Sequence, residues 1–349
     1  MLQTNFFRQE TDSSTCSTPN VVVIRKEINC ILEQIVSRRV HKIDTMSKSS
    51  CEVLARSLSF SETEESSSAP MIANCVFNSF LSYTAIMLNI VTIHAIRKTP
   101  SLPKTLQTLL LSLAVSDVGV GLLVQPFYIS LLIKWIQQSN IGCSMYKAFN
   151  IIVLSFSSVS FCGVVAISVD RFLAIHLHLR YQEIVTHKRV VVVVISMWLS
   201  SVFLSLMALW VPWDNRSLFI SIGTGICLLV TTVVYIKIYL VVRRHKTQIQ
   251  ALQVQNPNFA SLIKSAVSTF WVYLVFLVCY LPMLICFAVV AIYGPNITLN
   301  TTLSFSSTLV FLNSSLNPVI YCWKMRHIRQ AIMNILRNMS WHKRLSRLR

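Results

Sequence analysis

The stretch IIVLSFSSVSFCGVVAISVDRFLAI, residues 151–175, decides the fold. No charged side chain occurs from Ile151 to Val169, and this apolar run approaches the roughly 20 helical residues that cross a bilayer. Asp170 and Arg171 then stand side by side at its end. Because a charge in hydrocarbon is costly, such a pair marks a functional site more often than simple packing. The alternative is that Arg171 only reaches for polar headgroups at the membrane boundary.

The composition places most of the chain in a membrane. Of its 349 residues, 54% are apolar and 13% are charged, whereas a soluble protein carries about 25% charged residues. The 31 Lys and Arg residues outnumber the 13 Asp and Glu residues, but residues 1–70 are nearly neutral. The basic surplus therefore lies in short segments between the later apolar runs. This distribution is typical of cytoplasmic loops and argues against a nucleic-acid-binding protein.

Seven apolar segments are long enough to span a bilayer, and short links join them. They predict an all-α membrane protein, a seven-transmembrane helix bundle with a short amphipathic helix after the last span. The predicted spans are 72–96, 105–131, 143–175, 189–211, 218–243, 261–292 and 300–323. The predicted parts are an extracellular, Ser-rich, disordered N-terminus at 1–71, the seven-transmembrane bundle at 72–323, and a cytoplasmic amphipathic helix with a basic tail at 324–349.

The positions of the basic residues orient the bundle. If the N-terminus is extracellular, most Lys and Arg residues of the bundle fall on the cytoplasmic side. Only Lys134, Lys147 and Arg216 then fall on or near the outer side. We therefore expect a multi-pass protein of the plasma membrane. Three sequons in the second and third outer loops agree with this orientation and predict a glycoprotein, at Asn215, Asn296 and Asn300.

Polar residues and prolines recur inside the apolar segments. LSLAVSD places the acid Asp117 in the second segment, and CYLP, residues 279–282, places a proline in the sixth. NSSLNPVIY, residues 313–321, places Asn317 before Pro318 in the seventh. A proline inside a helix frees a backbone carbonyl and bends the helix. Polar groups at these depths indicate function more often than they do in a soluble protein.

In their order along the chain, these motifs resemble those of the rhodopsin-like (class A) G-protein-coupled receptors. The resemblance covers about residues 72–336, and Asn89 and Trp198 match single-residue landmarks of the family. It implies a receptor that passes an extracellular signal to heterotrimeric G proteins. LAVSDVGVGLLVQPF and LRYQEIVTHKR are similar to segments of adenosine, trace-amine and melanocortin receptors, but this similarity does not extend to the ligand pocket.

The resemblance also implies a switch at the inner end of the third helix. Asp170-Arg171-Phe172 matches the family's Asp-Arg-Tyr motif, with Phe172 in place of Tyr. The implied resting state keeps the Asp170–Arg171 pair closed, and an outward swing of the sixth helix releases Arg171 into a cavity for the G protein. The residues implied in switching and G-protein coupling are Asp170, Arg171, Phe172, Phe161, Tyr235, Phe276, Tyr280, Pro282, Asn317, Pro318 and Tyr321.

Asp117 is an isolated carboxyl group in the predicted bundle, so it should either be neutral or bind a cation. The resemblance implies a sodium pocket around it. Hard oxygen ligands suit Na⁺, and a protonated Asp117 in a polar network without an ion is the alternative. No other cofactor is expected. The residues implied in the sodium pocket are Asp117, Ser160, Asn313, Ser314 and Asn317.

The ligand anchors of several branches of the family are missing. Val153 stands where amine receptors have an Asp, and Phe311 stands where opsins have a Lys. A standard monoamine and retinal in its usual mode are therefore not expected. The implied pocket is apolar with a few neutral hydrogen-bonding groups, which fits a neutral or lipid-like small molecule; ordinary bundle packing is the alternative for its aromatic residues. The predicted ligand-binding residues are Asn150, Val153, Ser157, Tyr280, Met283, Phe287, Ser307 and Phe311, with Gln125, Phe127 and Leu154 beside them.

Two features depart from the family's pattern. Cys143 lies about one turn further out than the family's helix-three cysteine, and the second outer loop has no cysteine, so the family's usual disulfide is absent. Cys75 is one candidate partner, and an unpaired Cys143 is the alternative. Leu262 stands where many members carry an acid that faces the switch Arg. We therefore expect no inner lock through the sixth helix, and either high basal activity or a weak response.

Two other classes of protein were weighed against the receptor. A transporter or channel should show internal repeats or paired broken helices, and the two halves of this sequence show no repeat. An enzyme is not expected, because no cluster of His, Asp and Glu in the membrane has the spacing of metal ligands. His176 and His178 lie in one inner loop and are interpreted as solvated residues.

Overall fold

The computed structural model describes residues 69–100, 102–137, 139, 142–177, 180–207, 210–211, 213–252, 257–293, 297–325, 328–335 and 337. Contacts divide the chain into residues 1–49, which lie outside the described ranges, and a second unit, 50–349, which holds every element below. The Ser-rich segment up to residue 68 and the basic tail beyond residue 337 also lie outside the described residues. The predicted division of the chain into three parts therefore stays a prediction.

Seven long helices form the described bundle, and we label them α1 to α7 in chain order. They are α1 Ala69–Arg97, α2 Lys104–Ile136, α3 Cys143–Leu177, α4 His187–Met207, α5 Trp213–Leu252, α6 Pro257–Tyr293 and α7 Ile297–Lys324. A short helix, Tyr181–Ile184, lies in the second inner loop, and residues 328–335 form a terminal helix after α7. The predicted seven-helix bundle with a short helix after the last span is confirmed.

The helices differ from the predicted segments mainly at their ends. Within the described ranges, six have a stretch long and apolar enough to cross a membrane, and α7 is not among them. Its Thr, Ser and Asn residues lower its hydropathy while serving the interior of the bundle. α5 continues beyond its apolar part into Arg243 and Arg244 because polar residues can extend a helix into water. Among the described helices, hydropathy therefore locates α1 to α6 but neither α7 nor the helix ends.

The bundle exposes many large apolar side chains and buries a number of polar ones among its apolar core, unlike a soluble protein. Large apolar side chains such as Phe203 and Val278 face outward, whereas Asn89, Asp117 and Asn317 are fully buried. Lipid can cover the outer apolar face, while buried polar side chains must find partners within the bundle. α3 lies in the middle and contacts α2, α4, α5 and α6.

Two landmark residues fasten the helices to one another. Asn89 of α1 donates through Nδ2 to the carbonyl of Ser314 in α7 at 2.8 Å, and also to the carbonyl of Ala85 at 2.9 Å. Trp198 of α4 donates through Nε1 to Ser112 Oγ in α2 at 3.1 Å. The Asn89 bond holds α1 against α7, and the Trp198 bond holds α4 against α2.

α2 contains a π-helical segment, Val120–Val124, in its middle. Ser82 of α1 donates to the carbonyl of Gly121 at 2.8 Å, so the irregular backbone is supported from outside. A Cβ at Gly121 would lie 2.8 Å from Ile86 Cγ1, which shows how closely α1 and α2 approach there. Because a π segment adds a residue to one turn, it rotates the outer half of α2 relative to its inner half. Gln125 and Tyr128 are both buried beyond it.

Buried apolar residues form two clusters, one above the other. The inner cluster includes Leu113, Phe276 and Tyr321, and the outer cluster includes Tyr128 and Phe311. The terminal helix contributes to the inner cluster through its buried residues Ile328 and Ile332, as its amphipathic pattern predicts. Tyr280 packs against both clusters. It therefore connects the outer half of the bundle to the inner half.

Cys143, at the start of α3, forms a disulfide bond. Cys75 is a free thiol, and so are the other described cysteines apart from Cys143. The suggested Cys75–Cys143 pairing and the unpaired Cys143 are therefore both wrong. Both suggestions rested on spacing along the chain, which does not show which cysteines meet in space.

Candidate functional site

Asp170 and Arg171 form a closed ion pair at the inner end of α3. Arg171 Nε donates to Asp170 Oδ2 at 3.0 Å, and Arg171 Nη2 donates to the same oxygen. The two side chains are only 4% and 2% exposed. Burying charges costs several kcal/mol per ion, and a close pair repays this cost only in part. Such a pair is a poor device for stability alone and a good one for a switch.

Tyr181, in the short helix of the second inner loop, is a third member of this site. Its hydroxyl donates to Asp170 Oδ1 at 2.7 Å and is 3.0 Å from Thr105 Oγ1 of α2. Burial first, and then the negative charge of Asp170, raise the pKa of Tyr181 to about 12. Tyr181 therefore stays protonated at neutral pH and remains a donor. The sequence analysis missed it, because a tyrosine in a loop carries no signal of what it contacts.

The predicted inner tyrosines lie on different helices. Tyr235 of α5 accepts a hydrogen bond from Ser168 Oγ of α3 at 3.1 Å, and its ring stacks on Tyr273 of α6 with centroids 5.0 Å apart. Tyr273 pairs with Thr232 Oγ1 of α5 at 2.6 Å and was also missed from the sequence. Tyr235 therefore links α3, α5 and α6 close to the ion pair.

Tyr321, the second inner tyrosine, follows Pro318 in α7. It is 1% exposed, and its hydroxyl has no hydrogen-bond partner within the described parts of the chain. An unsatisfied buried hydroxyl costs about 1–3 kcal/mol. This cost would be recovered in a conformation where the hydroxyl finds a partner. Pro282 and Pro318 both lie inside their helices, where predicted.

Three predicted aromatic residues meet in the middle of the bundle. The Phe276 and Tyr280 rings of α6 stack with centroids 4.0 Å apart, and Phe161 of α3 lies 5.3 Å from Phe276 and 6.1 Å from Tyr280. At these distances, movement of one ring displaces its neighbours. Phe172, in contrast, stacks on His176 at 5.3 Å on the same helix and makes no described ring contact to another helix.

Asp117 lies fully buried among oxygen atoms. Its Oδ2 accepts a hydrogen bond from Asn317 Nδ2 at 2.8 Å. Asp117 Oδ1, Asn313 Oδ1 and Asn317 Oδ1 have no partner among the described residues. Ser160 pairs instead with Ser116 Oγ at 2.9 Å. The oxygens left without partners are hard ligands, so the residues fit a Na⁺ ion.

Several predicted ligand-binding residues gather above Tyr280. Val153, Tyr280 and Met283 pack against the cluster that contains Phe311. Ser157 lies one turn after Val153 in α3 and is half-buried.

The other predicted ligand-binding residues are placed less centrally. Ser307 Oγ lies 3.9 Å from Met283 Sδ, at the edge of the same group. Asn150 donates to the Tyr146 carbonyl at 2.9 Å within α3, and Phe287 is half-buried on α6.

A buried polar belt joins α1, α2 and α7 in the outer half. Thr308 donates to Asn74 Oδ1 at 2.6 Å and pairs with Asn78 Nδ2 at 2.9 Å. Tyr128 of α2 donates to the Ser304 carbonyl at 2.8 Å and lies 3.3 Å from Asn74 Nδ2. The sequence analysis missed this belt, although two asparagines one helical turn apart on one face of α1 were a usable signal.

Gln125 of α2 lies in the same half of the bundle and is fully buried. Neither its Nε2 nor its Oε1 has a partner among the described side chains and backbone groups. Buried amides are nearly always hydrogen-bonded, so this residue calls for an explanation.

The predicted glycosylation sites receive no structural support or contradiction. Asn296 lies outside the described residues, while Asn215 and Asn300 fall in the first turns of α5 and α7, and their side chains are not described. The sequence analysis placed all three in loops. They stay predictions.

Comparisons with known proteins agree with this geometry. The model of the rhodopsin family of seven-transmembrane receptors matches residues 88–218. The adenosine receptor A3 of Ovis aries is 25% identical over 280 residues, which cover 72% of this chain and 86% of that receptor. The histamine H2 receptor of Canis lupus familiaris is 24% identical over 273 residues, covering 71% of this chain and 75% of that receptor.

A third relative, the octopamine receptor beta-1R of Drosophila melanogaster, is 24% identical over 322 residues, covering 78% of this chain and 63% of that receptor. These matches give no support to the transporter or channel considered from the sequence. Seven long helices, a buried ion pair on the third and prolines inside the sixth and seventh agree with these matches, and together they are the features of a rhodopsin-like G-protein-coupled receptor.

Proposed function

We propose that this receptor sits in the plasma membrane with its N-terminus outside and passes an extracellular small-molecule signal to a heterotrimeric G protein through Arg171. The observation that carries the proposal is the buried Asp170–Arg171 pair, closed by Tyr181 from the second inner loop. The orientation rests on the excess of Lys and Arg in the segments assigned to the cytoplasmic side.

The proposed switch has two states. In the resting state Arg171 is bound to Asp170, and α6 is held against α3 through the rings of Phe161 and Phe276. When α6 moves outward, Arg171 leaves Asp170 and lines the opening that the G protein enters. The Tyr321 hydroxyl, which has no partner in the described part of the resting structure, then gains access to new partners, and these stabilise the open state.

The test is G-protein activation in cells that express the wild type or a variant at matched surface levels. We expect Arg171→Ala to abolish the basal signal. Arg180→Ala is the matched control, because Arg180 is an exposed arginine in the inner loop that follows α3. Equal signals from all three proteins would remove Arg171 from the mechanism.

We also propose that Na⁺ binds at Asp117 in the resting state. Asp117, Asn313, Ser314 and Asn317 would hold it, with Ser160 beside them, and the ion would neutralise the buried carboxylate. Thermal unfolding of the purified receptor in NaCl and in choline chloride at equal ionic strength tests this. Stabilisation by Na⁺ that Asp117→Asn abolishes is expected; equal unfolding temperatures in both salts favour a neutral Asp117.

The ligand is proposed to be neutral or lipid-like. The predicted ligand-binding residues carry no charge, and the group around Tyr280, Met283 and Phe311 is apolar. Gln125 adds one chemical detail, since the donor and the acceptor of its buried amide have no partner among the described residues. A ligand with an amide-like donor and acceptor side by side would satisfy both. The ligands in the relatives' names differ from one another in chemistry, so they do not identify this one.

A further inference from the structure

A lysine at the end of α7 lies between two tryptophan rings. Lys324 Nζ is 4.3 Å from the ring centroid of Trp271 in α6 and 3.4 Å from that of Trp323 in α7. The two rings lie 5.3 Å apart at 57°. Ser268, one turn before Trp271 in α6, donates to the Lys324 carbonyl at 3.2 Å. We call Ser268, Trp271, Trp323 and Lys324 the lysine clamp.

The clamp joins two different helices at the inner end of the bundle. Trp271 and Ser268 belong to α6, which the proposed switch moves, whereas Trp323 and Lys324 belong to α7. Lys324 is half-buried, and Trp323 is 61% exposed. A cation over an indole face is attracted by the ring's quadrupole, and the attraction grows as water is removed. The membrane boundary provides such partly desolvated surroundings.

We propose that the lysine clamp holds α6 in the resting position, in place of the acidic lock that this sequence lacks. An outward movement of α6 would carry Trp271 and Ser268 away from α7 and so break both the cation–π contact and the hydrogen bond. The contacts therefore belong to the closed state. Lys324 is a positioning residue: it acts on the switch through α6 and does not contact Arg171 in the described contacts.

The proposed clamp differs from one expectation from the sequence. Leu262 cannot pair with the switch Arg, so no lock through the sixth helix was expected. That argument considered only acidic partners. The structure fastens α6 to α7 through aromatic rings instead, and tryptophans near a membrane boundary are so common that they give no such signal.

The alternative is that the two tryptophans and Lys324 only anchor the helices at the lipid interface. An anchor would keep its contacts in both states and would not shift the equilibrium between them. Lys324→Gln, Trp271→Leu and Lys324→Arg separate the two roles, because Arg keeps the cation over the rings while the other two changes remove one partner. Trp210→Leu, an exposed tryptophan outside the clamp, is the control for loss of an interfacial ring.

The proposal rests on the proposed function, and the first measurement is basal G-protein activation at matched surface expression. The strength of cation–π contacts converts to about a twofold to thirtyfold change in the ratio of open to closed receptors. We expect Lys324→Gln and Trp271→Leu to raise the basal signal within this range. Lys324→Arg and Trp210→Leu should leave it unchanged.

The second measurement does not depend on coupling. Hydrogen–deuterium exchange of residues 266–275 in the purified receptor, reconstituted in lipid nanodiscs, reports how firmly the inner half of α6 is held. We expect faster hydrogen–deuterium exchange in Lys324→Gln than in the wild type. Lys324→Arg should exchange at the wild-type rate. Unchanged exchange in Lys324→Gln overturns the clamp, and so does faster exchange with an unchanged basal signal in a receptor that couples.

Failure of the proposed function gives a different pattern. In that case the wild-type signal is insensitive to Arg171→Ala, while the exchange data still decide whether the clamp holds α6. Thermal unfolding of each variant shows whether it is folded. A second removal, Ser268→Ala, takes away the hydrogen bond to the Lys324 carbonyl and should speed hydrogen–deuterium exchange in the same segment.

Discussion

Replacing Asp170 by Asn should convert this receptor toward its open state. The change keeps the shape of the side chain but removes the charge that holds Arg171. Asp170 Oδ2 accepts two donors from Arg171, and both side chains are nearly fully buried, so little solvent screening reduces the effect. In the open state Arg171 has already left Asp170. The substitution therefore destabilises the resting state and not the open one.

The size of the effect follows from these contacts. Removing one partner of a buried ion pair costs about 3–5 kcal/mol, and Asn keeps one acceptor oxygen, so we expect a loss near 2 kcal/mol. This corresponds to about a thirtyfold increase in the ratio of open to resting receptors. Nucleotide exchange on purified G protein, catalysed by receptor in nanodiscs without ligand, measures it. The rate of nucleotide exchange can rise only until every receptor is open. A wild type in which few receptors are in the resting state therefore shows a smaller increase.

The matched control is Glu183→Gln, which makes the same change of charge at an exposed acid of the second inner loop. This control should leave nucleotide exchange on the G protein at the wild-type rate. The reasoning fails if Asp170→Asn is folded and leaves basal exchange unchanged while Arg171→Ala abolishes it. In that outcome Arg171 is needed for coupling but is not restrained by its neighbour.

Three further variants test other parts of the structure. Gly121→Ala should lower the free energy of unfolding by about 1–3 kcal/mol, because its Cβ would lie 2.8 Å from an α1 side chain. The control is Gly223→Ala, which should not, because no atom lies within 4 Å of its Cβ. Thermal unfolding compares the two variants. Gln125→Leu should raise the free energy of unfolding of the ligand-free receptor by about 1–3 kcal/mol, because it removes a buried amide that has no partner among the described residues. An unchanged free energy of unfolding would mean that water satisfies the Gln125 amide. Thr308→Val should lower the free energy of unfolding by about 1–3 kcal/mol, because it leaves two α1 asparagines without their hydroxyl partner. An unchanged unfolding temperature would show that the polar belt contributes little to stability.

Features that depend on neighbouring positions in the chain were predictable. The Asp170–Arg171 pair is local, so the sequence alone suggested it, and the spans followed from runs of apolar residues. The resemblance to the receptor family named Phe161, Phe276 and Tyr280 among the switch residues, and the structure shows that their rings meet. In each case the relevant contact was set either by the helix itself or by a motif with a known place in the bundle.

Contacts that depend on the rotation of a helix or the path of a loop were not predictable. Tyr181 reaches Asp170 only because the second inner loop folds back beneath α2 and α3. The α1 belt requires Asn74 to face α7, and the π segment of α2 changes the facing of everything beyond it. Residue types alone carry little information on these angles. The partners of Lys324 were missed because a search for acids overlooks aromatic rings.

The position of Tyr280 has a consequence for pharmacology. Its ring touches the group of residues proposed for the ligand on one side and stacks on Phe276 at 4.0 Å on the other. A compound that pushes this ring inward must move its neighbour, while one that props it in place must prevent that movement. Agonists and inverse agonists for this receptor could then share a scaffold and nearly equal affinity, and differ by a single methyl group directed at one phenol.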